Sequence, residues 1–322
     1  MKISFLPHGR LRWFSFTCQF VFITAVYGCV NSYAKELRAI GVSVADLGNP
    51  FFVKIAESIT RAARKMAGDA VAIYIRSSAY DLPRQEFQID EFIRLRVDLI
   101  VLTAADSVKI ESSIHKAQRS GIKVIAVDIN AKGADVTITT DNVQAGEIAC
   151  EYMAKRIDEQ GNVVIINGAS ISSVLDRVNG CERVLDKYPK ITVLSKNLNA
   201  GGTVEGGMEI MTYLLNAYEK IDGVFCINDP SAFGALTAAK QAGRREFIVT
   251  SVDGAPIAQQ AIAEGSLIWK ASAAQFPSRM ATLAVELGIK LLNNEKIGVK
   301  KILIPTQLLT ADNIFQYQGW GE

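Results

Sequence analysis

The sequence predicts an α/β protein built as two doubly wound parallel-sheet lobes. Two observations carry this. Apolar strand-like runs alternate with amphipathic helical segments along nearly all of the chain. The repeating units are also too many for one comfortable sheet, which makes two lobes the economical arrangement.

In order, "LRAIGVSV" from Leu37 reads as a strand, and "FFVKIAESITRAARKM" as a helix with Phe52, Ile55, Ile59 and Met66 at helical spacing. "AVAIYI" is a strand, "RQEFQIDEFIRLR" a helix, "VDLIVLTA" a strand, "VKIESSIHKAQRSG" a helix ended by Gly121, and "KVIAVDI" a strand. Strands of this near-continuous apolar kind belong to parallel sheets covered on both faces. The pattern pauses at "ADVTITTDN" and restarts. Four helix–strand pairs follow: "VQAGEIACEYMAKRI" with "NVVIING", "VLDRVNGCERVLDKY" with "ITVLSK", "EGGMEIMTYLLNAY" with "IDGVFCI", and "AFGALTAAKQAG" with "EFIVTSV". Helix "PIAQQAIAEG", strand "LIWKASA" and helix "SRMATLAVELGIKLL" complete the series.

The amino-terminal segment is different. Lys2, Arg10 and Arg12 precede the uncharged run "WFSFTCQFVFITAVYGCV", and Ser32-Tyr33-Ala34 supplies a small-x-small pattern. This reads as an export signal over residues 1–34, cleaved after Ala34. A membrane anchor fits less well, because the apolar run is short. Lipid attachment at Cys29 fits poorly beside Tyr27. The formal net charge is +2, and loss of three positive and no negative charges with the signal leaves about −1. No Lys/Arg run resembles a nucleic-acid footprint. Beyond the signal, Cys150, Cys181 and Cys226 are odd in number and widely spaced, which is no disulfide framework. Buried free thiols are expected, with one bridged pair as the alternative in an oxidising compartment.

Several chemistries lack their residues. The only histidine after the signal, His115, sits in a charged amphipathic helix, and no His/Cys cluster suits a transition metal. "GASISS" lacks the lysine and spacing of a phosphate loop, and "GVSVADLGN" is a weak dinucleotide lookalike. Binding without catalysis is the expectation, with no cofactor and no metal.

Open parallel sheets place ligands at the carboxyl ends of their strands. Asp128, Asn228, Asp229, Asp253 and Gln275 fall there. Each also suits a helix cap or turn, Asp229 most of all because it precedes Pro230. Carboxylates and carboxamides together with Phe51 and Phe52 would suit an uncharged polyhydroxy ligand, whose hydroxyls need donors and acceptors and whose C–H face needs aromatic rings.

The motifs "NPFF" (49–52), "VIAVD" (124–128), "TDN" (140–142), "DRVNG" (176–180), "IND" (227–229), "VDG" (252–254) and "AAQFP" (273–277) make the chain resemble the periplasmic sugar-binding proteins of bacterial ABC importers, most closely the ribose-binding group, over residues 37–312. The resemblance implies the periplasmic binding protein type I fold with a three-stranded hinge. It implies an amino-terminal lobe of residues 35–140 plus 276–304 and a carboxy-terminal lobe of 141–275 plus 305–322. It implies a monomer in the periplasm that closes on a small sugar or polyol and hands it to a cognate ABC permease in the inner membrane. A chemotaxis or sensor-kinase receptor is the alternative, and a secreted carbohydrate-active enzyme a weaker one.

Carried over by motif, the ligand contacts are Asn49, Phe51, Phe52, Asp128, Asn228, Asp253 and Gln275. Three positions depart from the ribose pattern. Ile129 and Leu175 stand where ribose binders have arginines, and Gly202 falls near an expected capping aromatic. Losing two guanidinium forks removes hydroxyl-directed donors. The ligand expected is therefore a pentose-like sugar or alditol outside the usual D-ribose recognition, with Asp46 and Asn130 as replacement contacts and Leu175 still expected at the ligand in the place of the missing arginine.

Overall fold

A computed structural model describes Met1 and residues 35–321 of the protein. The export signal, its cleavage point after Ala34 and Cys29 lie outside the described residues. Among those residues, no helix is long and apolar enough to cross a membrane.

Among the described residues twelve strands form two six-stranded sheets. The first sheet has the order β11-β5-β4-β3-β1-β2, all parallel, from β1 (Ala39–Val44), β2 (Ala72–Ser77), β3 (Leu99–Leu102), β4 (Lys123–Val127), β5 (Val136–Thr140) and β11 (Lys301–Ile304). The second has the order β12-β10-β9-β8-β6-β7, from β6 (Gln160–Asn167), β7 (Lys190–Asn199), β8 (Gly223–Cys226), β9 (Ile248–Asp253), β10 (Trp269–Ala274) and β12 (Gln307–Leu309). Among these twelve strands only β12 runs antiparallel, against β10. The chain passes between the sheets after β5, after β10 and between β11 and β12, which makes the hinge three-stranded.

Strand alternation divides each sheet's apolar side chains between two faces. In β3, Leu99 and Val101 face α1 (Pro50–Ala67) and α9 (Pro277–Leu292). Ile100 and Leu102 face α2 (Leu82–Arg94) and α3 (Glu111–Arg119). In the second sheet, Val163 and Ile165 of β6 pack toward α4 (Asn142–Arg156) and α5 (Ser172–Leu185). Val164 and Ile166 pack toward α6 (Val204–Ala217), α7 (Asp229–Gln241) and α8 (Pro256–Ala263). Helix α9 follows β10 in sequence yet packs on the first lobe, because Met280, Ala281, Ala284 and Val285 belong to that core.

Sequence pattern and structure differ in places. The pause at "ADVTITTDN" contains β5, whose threonines are buried rather than half-exposed. The short edge strands β11 and β12 carry no apolar alternation strong enough to announce them. Near the chain's end, Ile314 and Tyr317 pack with Leu309, while Trp320 joins the first lobe's core.

The expectation of a free, buried Cys150 is corrected: Cys150 and Cys181 form a disulfide between α4 and α5, with Cα atoms 5.1 Å apart. The reason lies in the helix pair. A Cβ on Gly146 would collide with the Arg177 carbonyl, and one on Gly180 with the Val143 carbonyl. Two glycines thus let the backbones approach, and the next inward positions bring the sulfurs together. Among the described residues Cys226 is the free cysteine, and it is buried.

Candidate ligand-binding site

The site lies at the carboxyl ends of both sheets, where the lobes meet. A cavity of about 60 Å³ is lined by Asn49, Phe51, Phe52, Tyr80 and Asp128 of the first lobe. From the second come Ile171, Ser173, Val174, Arg177, the Gly201–Gly202 turn, Ile227, Asn228 and Asp253, with Gln275 at the hinge. The lobes touch across the cleft: Asn130 N–H donates to Ser172 Oγ at 3.0 Å, and Ile171 packs on the first lobe's core.

The turn "DLGNPFF" connects β1 to α1. Asn49 Oδ1 accepts from Phe51 N–H at 2.9 Å and caps the helix, while Pro50 occupies the first turn, where no N–H is needed. The cap leaves the Asn49 amide group for the cavity. Phe51 and Phe52 are each 3% exposed and serve the core and the cavity wall together. Their rings meet edge to face at 5.4 Å, and Phe51 meets Trp320 at 5.6 Å.

Asp128 follows β4 with φ of 64°, a left-handed backbone that Asp tolerates better than most residues. Its N–H donates to the Ile138 carbonyl and its own carbonyl accepts from Thr139 Oγ1, so the loop is pinned. Its carboxylate is not: Oδ1 is buried without a partner among the described residues. Burial raises its pKa to about 6; Arg177 opposes the rise and Asp253 adds to it. An orphaned buried carboxylate costs free energy unless something else satisfies it.

Opposite stands Arg177, buried at 4% exposure. Its Nε donates to Asn142 Oδ1 at 2.8 Å, and its Nη1 to the Ile227 carbonyl at 2.8 Å and to Asp253 Oδ1 at 3.3 Å. Gln275 Nε2 donates to the same Asp253 oxygen at 2.7 Å, while Gln275 Oε1 accepts from Thr140 Oγ1 at 2.8 Å. Burial raises the Asp253 pKa, and Arg177 and the Gln275 hydrogen bond pull it back. Asn228 caps α7 through Oδ1 and donates Nδ2 to the Gly202 carbonyl at 2.9 Å.

Asp229 takes no part in the cavity. It lies beneath it, where Oδ1 accepts from Ser251 and Ser272 hydroxyls and Oδ2 from Ala255 N–H. Burial holds its pKa well above the ordinary carboxylate range, Asp253 adding to the effect.

Seven residues expected from sequence thus line one cavity: Asn49, Phe51, Phe52, Asp128, Asn228, Asp253 and Gln275. Three do not. Leu175 is 52% exposed on the outer side of α5, because the helical turn sends Val174 and Arg177 inward instead. Asn130 engages Ser172 through its backbone and is not part of the lining. Asp46 closes its own turn by accepting from Gly48 N–H and borders a separate outer groove. Ile129 is fully buried in the first lobe's core. The expectations passed over Arg177 and Tyr80. The first stood inside the quoted "DRVNG", and the second sits on a loop with φ of 57°, which no periodicity marks.

The arrangement offers acceptors at Asp128 and donors at Asn49, Arg177 and Gln275 within an aromatic-walled space, a complement to hydroxyl groups. Among the described residues there is no cluster able to hold a metal ion.

Comparison with known proteins places this geometry. The family model described as a periplasmic binding protein domain matches residues 40–296. The ribose import binding protein of Escherichia coli (strain K12) is 30% identical over 274 residues, covering 84% of this chain and 89% of that one. The xylitol-binding protein of Mycolicibacterium smegmatis is 28% identical over 237 residues, covering 73% of this chain and 67% of that one. A periplasmic solute-binding protein of an ABC transporter from Actinobacillus succinogenes, solved with D-allose bound, superposes with a TM-score of 0.81 at 23% identity, covering 87% of this chain and 100% of the other. With its two lobes, its interlobe cavity and a family match over most of its length, the chain belongs to the periplasmic binding proteins.

Proposed function

We propose that the protein captures a small, uncharged polyhydroxylated ligand, a pentose-like sugar or alditol, and delivers it to an ABC permease in the inner membrane. The observation that carries this is the buried Asp128 Oδ1, without a partner among the described residues, at a cavity that the Asn49 carboxamide and the Arg177 guanidinium also line. A ligand hydroxyl satisfies that oxygen, and lobe closure excludes the water that would compete. The E. coli relative is a ribose import binding protein and the mycobacterial one a xylitol-binding protein, which supports the same ligand class here.

Asn49, Phe51, Phe52, Asp128, Asn228, Asp253 and Gln275 are the proposed ligand contacts, joined by Arg177 and Tyr80. The proposed lobes are 35–140 with 276–304 and 141–275 with 305–322, except that the Trp320 side chain packs with the first lobe. The protein works as a periplasmic monomer after export, without cofactor or turnover and without nucleic acid. Ordinary D-ribose recognition is disfavoured, since the lining holds one guanidinium, Arg177, where the ribose resemblance implies two, and Gly202 supplies no ring.

A thermal-shift screen with pentoses, hexoses and alditols tests the reading. A true ligand at 100 times its Kd adds about 2.7 kcal/mol of stability. No shift with any sugar or polyol refutes the proposal.

A further inference from the structure

The inner cavity shares four of its lining residues, Asn49, Tyr80, Gly201 and Gly202, with a second space of about 490 Å³ on its outer side. The remaining walls of that space are mostly apolar: Pro50, Val204, Pro230, Pro256, Ile257 and Trp320. The three prolines stand in the first turns of α1, α7 and α8, so those helix starts present ring carbons where other residues would present N–H donors. The boundary between the two spaces carries no side chain on the second lobe. Gly201 and Gly202 have φ of 63° and 70°, which favours glycine. A Cβ on Gly201 would meet nothing within 4 Å, and one on Gly202 only the Asn228 carboxamide. A small polar chamber therefore opens past a bare turn into a larger apolar one.

We propose that the preferred ligand is a sugar or polyol carrying a compact apolar group in ether or glycosidic linkage. Its hydroxylated part occupies the inner cavity and its alkyl or aryl group the outer groove. This rests on the sugar-binding reading above and names the ligand class within it. Asp46 and Glu205 at the groove's margin disfavour an anionic substituent.

Isothermal titration tests it. Each free sugar or alditol that binds is compared with its α- and β-phenyl glycosides or, for an alditol, its terminal phenyl ether. One of these derivatives is expected to bind about tenfold tighter than the parent, from burial of the ring's apolar area. Val204→Trp, and independently Pro256→Trp on the facing helix, fill the groove. At least one of the two is expected to abolish that gain while keeping the parent's affinity within threefold, circular dichroism melts confirming the fold. Parents that bind while every phenyl derivative binds no tighter, or a gain that survives both folded variants, overturn this inference and leave the sugar reading intact. Absence of binding by parents and derivatives alike removes the sugar reading itself, and this inference with it.

Discussion

Replacing Asp128 by Asn separates the two roles of a buried carboxylate. In the unliganded protein the ionised group is a burden. Its pKa is about 6 against an ordinary 3.8, so burial disfavours the charged form. The sign follows from proton linkage: a raised carboxylate pKa means the folded state binds protons more tightly than the unfolded one. This contribution therefore lowers stability as pH rises through 4 to 6, and it is absent below the unfolded value. At pH 7 the cost is roughly 3 kcal/mol, from about two pKa units at 1.36 kcal/mol each. Asparagine removes that cost and accepts the left-handed backbone at position 128, but it brings an amide whose own desolvation takes back about 1 kcal/mol. Asp128→Asn should therefore stabilise the empty protein by about 2 kcal/mol at pH 7, whereas at pH 4, where the charge cost has fallen to roughly 0.5 kcal/mol and the amide cost remains, it should destabilise it by about 0.5 kcal/mol. It should also weaken ligand binding by about 10- to 100-fold, since a hydrogen bond to a charged acceptor contributes roughly 1.5–3 kcal/mol. Urea titrations at the two pH values give the first quantity and calorimetry the second. A variant that is less stable than the parent at pH 7, or that binds with unchanged affinity, refutes the reasoning.

Arg177→Met leaves Asp253 buried without its guanidinium, and should cost about 3–5 kcal/mol in urea unfolding and abolish detectable ligand binding. Leu175→Arg restores the residue that the ribose resemblance implies, yet the position faces solvent. Stability should stay within about 0.5 kcal/mol and D-ribose affinity should not rise, by calorimetry. Cys181→Ala opens a crosslink spanning 31 positions, and chain-entropy scaling gives a loss of about 4 kcal/mol, measurable as a lower urea midpoint.

The alternation of strands and helices was legible because the central strands of both sheets are buried on both faces, and such strands show as apolar runs. β5 escaped because "VTITT" places threonines where hydroxyls are paired within the fold, as Thr139 is with the Asp128 carbonyl. The strand-end residues Asp128, Asp253 and Gln275 were legible because parallel sheets point their carboxyl ends at one cleft. Arg177 was not, since on an amphipathic helix it looks like one more surface charge. Position 175 was misplaced because family correspondence fixes register but not which way a helical side chain faces. The disulfide depends on how α4 crosses α5. The pertinent signal was the pair Gly146 and Gly180, close in sequence to Cys150 and Cys181, which cysteine spacing alone does not reveal.

Gln275 links the second chain crossing to the first through Thr140 while its amide reaches Asp253 in the cavity. One side chain is therefore both strut and contact, and affinity at this point carries a mechanical component. A substitution such as Gln275→Met changes the ratio of open to closed molecules as well as the contact, and the observed Kd scales with the binding-competent fraction. Double-mutant cycles pairing Gln275 with any other cavity residue should thus show coupling even where the two side chains never touch, because both report on the same closing equilibrium.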